Sequence, residues 1–89
     1  MKYIVYTSQA TEQFTPNDIA QIFLSARSNN QNIGVTGALL YRSGTFLQIL
    51  EGIEETIDAL VSEIRDDPRH SDFRLIFEGT AYEPAFTGW

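Results

Sequence analysis

A phenol and two carboxamides, those of Tyr6, Asn30 and Gln48, are the side chains of this chain whose types and spacing could support chemistry. A tyrosine hydroxyl, with a pKa of about 10, is neutral at ordinary pH and can donate a hydrogen bond or an electron. An amide donates at one end and accepts at the other, and it can exchange these ends by rotation. The chain has no cysteine, so thiol chemistry is excluded. The set fits a hydrogen-bond network better than hydrolytic machinery.

The hydrophobic pattern predicts four strands and two helices in the order β-α-β-β-α-β. Segments rich in β-branched and aromatic residues predict strands at 3–7, 35–41, 45–51 and 73–79, and residues 82–89 could begin a fifth. The tripeptide Arg42-Ser43-Gly44 predicts a hairpin turn between the second and third strands.

Both helices are predicted from apolar residues spaced i, i+3, i+4 and i+7. The first helix should begin at Thr15 as the N-cap, with Pro16 in its first turn, and end in the amide-rich segment 29–32. The second should end at Asp67-Pro68. The two apolar stripes are Ile19, Ile22, Phe23 and Ala26, and Ile57, Leu60, Val61 and Ile64.

This order of elements predicts an α+β ferredoxin-like sandwich, with two helices on one face of a mixed sheet, in a single domain over residues 1–89. Alternation along the strands places Tyr6 and Gln48 on the helix side. A buried Tyr–Gln pair could simply satisfy its own hydrogen bonds in a small core. Asn30 could likewise serve only as a left-handed C-cap of the first helix.

Charge and hydropathy limit the partners. The net charge is −6, and eight of the twelve acidic residues lie between positions 51 and 72, so direct contact with nucleic acid is not expected. No apolar run approaches the ~20 residues of a membrane span, and the N-terminus is typical of a strand rather than of a signal peptide. We therefore expect a cytoplasmic domain that does not enter a membrane.

A wider pattern surrounds the three polar residues, and it closely resembles the BLUF family of blue-light sensors that use flavin. The resemblance runs from Tyr3 to the last residue and needs no insertion. Its motifs are Tyr-Thr-Ser at 6–8, Ala-Arg-Ser-Asn-Asn at 26–30, Val-Thr-Gly at 35–37, Phe-Leu-Gln-Ile-Leu-Glu-Gly at 46–52, Asp-Pro-Arg-His at 67–70 and Phe-Thr-Gly-Trp at 86–89.

The resemblance implies a photosensor, not an enzyme, that binds flavin non-covalently. FAD is the family's usual cofactor, and FMN or riboflavin are possible. A flat ring needs an apolar slot with amides at its rim. The gap between the helices offers Ile22 and Ile19, with Leu39 and Phe46 from the sheet, while Asn30 and Gln48 would bond opposite edges of the ring.

The family mechanism implies that light drives an electron from Tyr6 to the flavin and that a proton follows through Gln48. Gln48 is then left rotated or tautomerised, and the absorption shifts to the red. Trp89 is expected among the photoactive residues. The family positions near the ring and its ribityl chain are Asn29, Arg27, Asp67, Arg69 and His70. The two arginines are the expected counter-charges for flavin phosphates, although Arg27 could equally be an exposed helix charge.

The chain departs from the family pattern near its end. The family usually continues past the tryptophan to a methionine that is tied to signal output, and an arginine that is common before Phe86 is replaced by Tyr82-Glu83-Pro84-Ala85. We therefore expect a domain truncated just after Trp89.

Two other functions are compatible with this order of elements. An acylphosphatase on the same fold would need an arginine in a phosphate loop after the first strand, and residues 8–13 contain none. A flavin-free BLUF-like domain could serve only in assembly. Either way, the sheet face away from the helices is too apolar to be left bare, so we expect it to form a homo-oligomer or to contact an effector. Its residues are Tyr3, Val5, Ala38, Leu40, Leu47 and Ile49.

Overall fold

The computed structural model of the protein describes residues 1–11, 13–68, 70–83 and 85, with the backbone alone for residue 70. Its elements follow the predicted β-α-β-β-α-β order. They are strand β1 (Lys2–Ala10), helix α1 (Pro16–Asn32), strand β2 (Thr36–Arg42), strand β3 (Thr45–Gly52), helix α2 (Glu54–Asp66) and strand β4 (His70–Thr80).

The strands form one sheet in the order β2-β3-β1-β4, which confirms the ferredoxin-like arrangement. The sequence allowed for a mixed sheet, but all three described strand pairings are antiparallel. The topology explains this difference. Each helix connects two strands that are separated by a third, so the parallel pairs β1/β2 and β3/β4 are never hydrogen-bonded neighbours.

Local signals in the sequence account for the ends of α1 and for the hairpin. The Thr15 hydroxyl accepts from the Asp18 N–H at 3.1 Å, and the Asp18 carboxylate accepts from the Thr15 N–H at 2.9 Å, a complete capping box. Ser43 and Gly44 both have positive φ, at 51° and 85°, as a two-residue hairpin turn requires. The turn fixes the β2–β3 register, in which Arg42 opposes Thr45.

The core lies mainly between the sheet and α2. It contains Ile4, Tyr6, Val35, Leu50 and Ile57, with the α2 stripe packed against it. By contrast, the apolar stripe of α1 is only half-buried. The one buried residue of this helix is Asn30, which does not belong to the stripe. Space therefore remains between α1 and the sheet. Among the described residues, neither helix is long and apolar enough to cross a membrane.

Strand β4 differs most from its prediction. It begins at His70 instead of at position 73, and its register against β1 shifts between Val5 and Tyr6 and again between Thr7 and Gln9. Residues 82, 83 and 85 form bends and residue 81 has no regular secondary structure, so no strand is seen at these positions. The remaining positions of the expected fifth strand, 84 and 86–89, lie outside the described residues.

Candidate functional site

A cavity of about 180 Å³ lies between the two helices and the inner face of the sheet. Its floor is formed by residues of β1, β2 and β3, and its walls by the last turns of α1 and α2. The lining residues are Tyr6, Ser8, Ile22, Ser25, Ala26, Asn29, Asn30, Leu39, Phe46, Gln48, Leu60, Glu63, Ile64 and Asp67. A mostly apolar pocket with a few convergent polar groups is typical of a small-molecule site.

Tyr6, Gln48 and Leu39 form one cross-strand row on the cavity floor. Gln48 on β3 opposes Tyr6 on β1 and also Leu39 on β2, and because cross-strand partners share a face, all three point toward the helices. The Tyr6 hydroxyl donates a hydrogen bond to Oε1 of Gln48. Both side chains are buried. The structure thus brings together the phenol and the amide that the sequence singled out.

The surroundings of Tyr6 keep its phenol neutral. Burial raises the pKa of Tyr6 well above its ordinary value, and the negative charge of Asp67 raises this pKa further. The Phe73 ring stacks on the Tyr6 ring with centroids 4.7 Å apart, and the Arg65 guanidinium lies 4.8 Å from the centroid of Phe73. Tyr6 is therefore a fixed, protonated donor.

Asn30 lies across the cavity on α1. It is 3% exposed, and its side-chain Nδ2 is buried with no hydrogen-bond partner among the described residues. Its backbone carbonyl accepts from the N–H groups of Ile33 at 3.2 Å and Val35 at 2.8 Å. The C-cap of α1 is Ile33, with φ −108°, so the alternative of Asn30 as a left-handed C-cap is not what the structure shows.

The other predicted site residues divide into three groups: those that line the cavity, those that lie outside its lining, and those outside the described part of the chain. Asn29, Ile22, Leu39, Phe46 and Asp67 line the cavity with Tyr6, Asn30 and Gln48.

Arg27 is exposed and does not line the cavity, although its neighbour Ala26 does. Successive residues of an α-helix point in different directions, so the two side chains do not share a face. Ile19, one turn earlier than Ile22, also lies outside the lining. The geometry therefore gives no support to Arg27 as a phosphate counter-charge. Arg69, the His70 side chain and Trp89 lie outside the described residues.

Several lining residues were not predicted. Ser8 is 1% exposed and follows Tyr6 by two positions, so strand alternation could have placed it on the same face. Leu60 and Ile64 belong to the α2 stripe, which the sequence assigned to the core alone. Ser25 and Glu63 carry no signal in the sequence that distinguishes them from solvated helix residues.

The residues present fit a flavin ring. Three observations support this fit: apolar side chains from both helices and the sheet, a buried amide donor without a partner among the described residues, and a buried, hydrogen-bonded phenol–amide pair on the floor. Ring carbonyls are acceptors that could satisfy the Asn30 Nδ2 group.

Within the part of the chain that the structure describes, no three His, Asp or Glu side chains lie close enough together to hold a metal ion.

The fold and the site define a ferredoxin-like domain with a cavity between its helices and its sheet and a buried tyrosine–glutamine pair. The BLUF family, described as sensors of blue light using FAD, matches residues 1–89. The chain belongs to this family, and it is therefore a flavin-binding blue-light sensor domain of signal transduction.

Known proteins support the family assignment. Photoactivated adenylate cyclase subunit beta of Euglena longa is 36% identical over 83 residues, which are 93% of this chain and 10% of that protein. A bacterial light-regulated adenylyl cyclase superimposes with a TM-score of 0.92 at 34% identity, covering 99% of this chain and 26% of the other. Klebsiella pneumoniae BlrP1, solved with FMN and cyclic diGMP, superimposes with a TM-score of 0.88 at 36% identity. The match covers 98% of this chain and 23% of BlrP1. The chain thus spans about a tenth of the length of the curated relative.

Proposed function

We propose that residues 1–89 form one photosensor domain in which Tyr6 and Gln48 are the light-driven switch and Asn30 holds the flavin. The observation that carries this proposal is the buried hydrogen bond from the Tyr6 hydroxyl to Gln48, at the floor of a cavity that Asn30 also lines. A bound flavin supplies a chromophore for blue light that accepts an electron when excited.

The chain's own part is a reversible transfer of one electron and one proton. Tyr6 would give one electron to the bound flavin, and its phenolic proton would pass to Oε1 of Gln48 along the hydrogen bond that already joins them, while the Gln48 amide nitrogen would release a proton toward the flavin. Because a hydroxyl can accept as well as donate, the same pair can be bonded with the amide reversed. Electron and proton return to Tyr6, and Gln48 remains rotated or tautomerised, so no net redox change is left.

Absorption spectroscopy of the purified protein tests the proposal. The protein should carry a flavin band that shifts to the red under blue light and recovers in the dark. Tyr6→Phe should keep the flavin, since the ring packing is retained, but it should lose the shift. Gln48→Leu should lose the shift because it removes the group that reverses hydrogen-bond polarity. A protein that takes up no added flavin would instead support the alternative of a flavin-free assembly domain, and a normal shift in Tyr6→Phe would refute the switch.

We expect FAD as the bound flavin, in line with the family description, although the related BlrP1 was solved with FMN, a shorter flavin. Titrating the flavin-free protein with FAD, FMN and riboflavin would rank them. An affinity for FAD no higher than for riboflavin would show that the phosphates and the adenine contribute nothing to binding.

The outer face of the sheet is the proposed surface for self-association or for an effector in the cytoplasm. Leu40 is 62% exposed and Phe77 is 56% exposed there, and Leu40 lies opposite Leu47. An apolar face of this kind marks an interaction site. The cyclase names of the relatives suggest that an effector of that class is controlled by the sensor.

The double substitution Leu40→Lys with Leu47→Lys should give monomers that still show the red shift. Leu24→Lys is a matched control, since Leu24 is 61% exposed on α1, away from this face. A monomeric unmodified protein at high concentration in sizing experiments would contradict the self-association part of the proposal.

A further inference from the structure

Glu51 is a buried carboxylate on the apolar outer face of the sheet. It alternates along β3 with Leu50, which faces the core, and lies opposite Tyr3 and Thr36. It is 4% exposed, although acidic side chains are almost never buried without partners. The sequence pattern does not indicate this burial, because Glu51 begins the run of acids that would be expected to be solvated.

The partners of Glu51 explain how it is accommodated. Its Oε2 accepts a hydrogen bond from the backbone N–H of Ala85 at 2.7 Å, within the short range of hydrogen bonds to a charged acceptor. Its Oε1 lies 3.4 Å from the Thr36 hydroxyl, which donates to it. The first contact joins positions 34 residues apart and is much the shorter of the two.

The path of the chain shows what this bond does. Strand β4 is at the edge of the sheet, and just after it Ala81 exchanges two backbone hydrogen bonds of 2.9 Å with Met1 at the start of β1. Ala85 then reaches Glu51 on β3, on the far side of β1. The two strand spacings from β4 to β3 amount to about 10 Å, and four extended residues span at most about 14 Å. Ala85 is therefore within reach of β3 from the end of β4, as its bond to Glu51 shows.

We infer that Glu51 is a positioning residue that anchors the segment following β4 to the outer face of β3 and that links this segment to Gln48. Glu51 and Gln48 are three residues apart on one strand and point to opposite faces. A change in the Gln48 hydrogen bond on the inner face shifts the same strand whose outer face holds Ala85. The link to light rests on the proposed function, whereas the anchor does not.

Hydrogen exchange of the Ala85 amide in the dark, read by NMR with and without flavin, tests the anchor. In the unmodified protein this amide should exchange at least tenfold more slowly than in Glu51→Leu, because leucine offers no acceptor. Glu51→Gln keeps an acceptor oxygen and should restore part of the protection. Thr36→Val removes only the weaker contact and should leave Ala85 protected. Equal Ala85 exchange in the unmodified protein and in both Glu51 variants would overturn the anchor, and should Glu51→Leu fail to fold, the comparison with Glu51→Gln decides.

The same measurement under blue light tests the link to Gln48. Light should speed Ala85 exchange in the unmodified protein, and this effect should be absent in Glu51→Leu and weaker in Glu51→Gln, while both keep the red shift. A purely structural role of Glu51 would leave no light-dependent difference at Ala85. A red shift with unchanged Ala85 exchange in the unmodified protein would therefore overturn the link. If no red shift appears at all, the proposed function fails, and the dark experiment still decides the anchor.

Discussion

Replacing Asn30 with leucine should affect the flavin-free protein and flavin binding in opposite directions. In the structure, Nδ2 of Asn30 is buried without a hydrogen-bond partner among the described residues. A buried unsatisfied donor costs about 1–3 kcal/mol. Leucine has similar bulk and no donor, so Asn30→Leu should raise the free energy of unfolding of the flavin-free protein by no more than this amount, because water in a flavin-free cavity can also accept from Nδ2.

A second asparagine supplies the control for stability. Leucine is also a better helix former than asparagine, by a few tenths of a kcal/mol, and this gain must be subtracted. Asn29 lies beside Asn30 in α1 but is exposed, so Asn29→Leu gains helix propensity without removing a buried donor. For a domain of this size, 1 kcal/mol corresponds to about 4–8 °C in the melting temperature. Without flavin, Asn30→Leu should therefore melt above Asn29→Leu, by no more than about 4–8 °C for each kcal/mol of the removed cost.

Flavin titration supplies the other half of the test. Loss of one good hydrogen bond from a buried site, about 1–3 kcal/mol, should weaken flavin binding roughly five- to a hundredfold. Tyr6→Phe, which removes a switching group and keeps the ring, should weaken binding less. If Asn30→Leu matched Asn29→Leu in stability and Tyr6→Phe in flavin affinity, Asn30 would not be the residue that holds the cofactor.

Three further outcomes follow from the contacts around the switch. A methyl group on Gly37 would lie 1.8 Å from the Ile49 carbonyl oxygen, so Gly37→Ala should push β3 away and reduce the red shift. Urea unfolding should show a stability lower by roughly 1–3 kcal/mol, and unchanged stability would contradict this prediction. Phe73→Leu removes the ring stacked on Tyr6 and should cost about 1 kcal/mol of stability with the flavin retained, whereas loss of the flavin would show that Phe73 acts in binding. Folding raises the pKa of Tyr6, so the contribution of its neutral phenol to stability is present below about pH 10. Above that pH the tyrosine ionises first in the unfolded chain, and the contribution is lost. Tyr6→Phe should therefore show a smaller loss of stability at alkaline pH than the unmodified protein, and an equal loss in both proteins would refute this prediction.

Local rules were sufficient for most of the architecture. The α1 capping box and the Ser43-Gly44 turn are short-range features, and both occur where the sequence predicted them. Alternation along β1 and β3 correctly put Tyr6 and Gln48 on one face. The strict period of two fails on β4, because its two register shifts against β1 depend on how two strands roughly 70 residues apart along the chain fit together. No local pattern encodes that fit.

The sequence indicated the polar residues of the candidate site, but it did not indicate all of the residues that lie at its edges. Tyr6, Asn30 and Gln48 stand out because amides and a phenol are unexpected on apolar faces. Arg27 is exposed, and its role as a counter-charge for flavin phosphates stays a prediction. The burial of Glu51 was not foreseeable, since it involves a contact with Ala85, 34 residues further along the chain.

The unequal packing of the two helices explains how such a small domain can hold both a stable fold and a switch. Helix α2 completes the core with the sheet, and Tyr6 belongs to that core. Helix α1 leaves its apolar stripe half-buried and presents an amide donor that no described residue satisfies. A cofactor that fills this space would stabilise α1 by mass action, and in the proposed function the Tyr6–Gln48 pair beneath it reverses its hydrogen bond. In a buried site, where the effective dielectric is low, one reversed dipole has a larger effect than it would in water. Under the proposed function, the reversed Tyr6–Gln48 hydrogen bond is therefore a change that strand β3 can transmit.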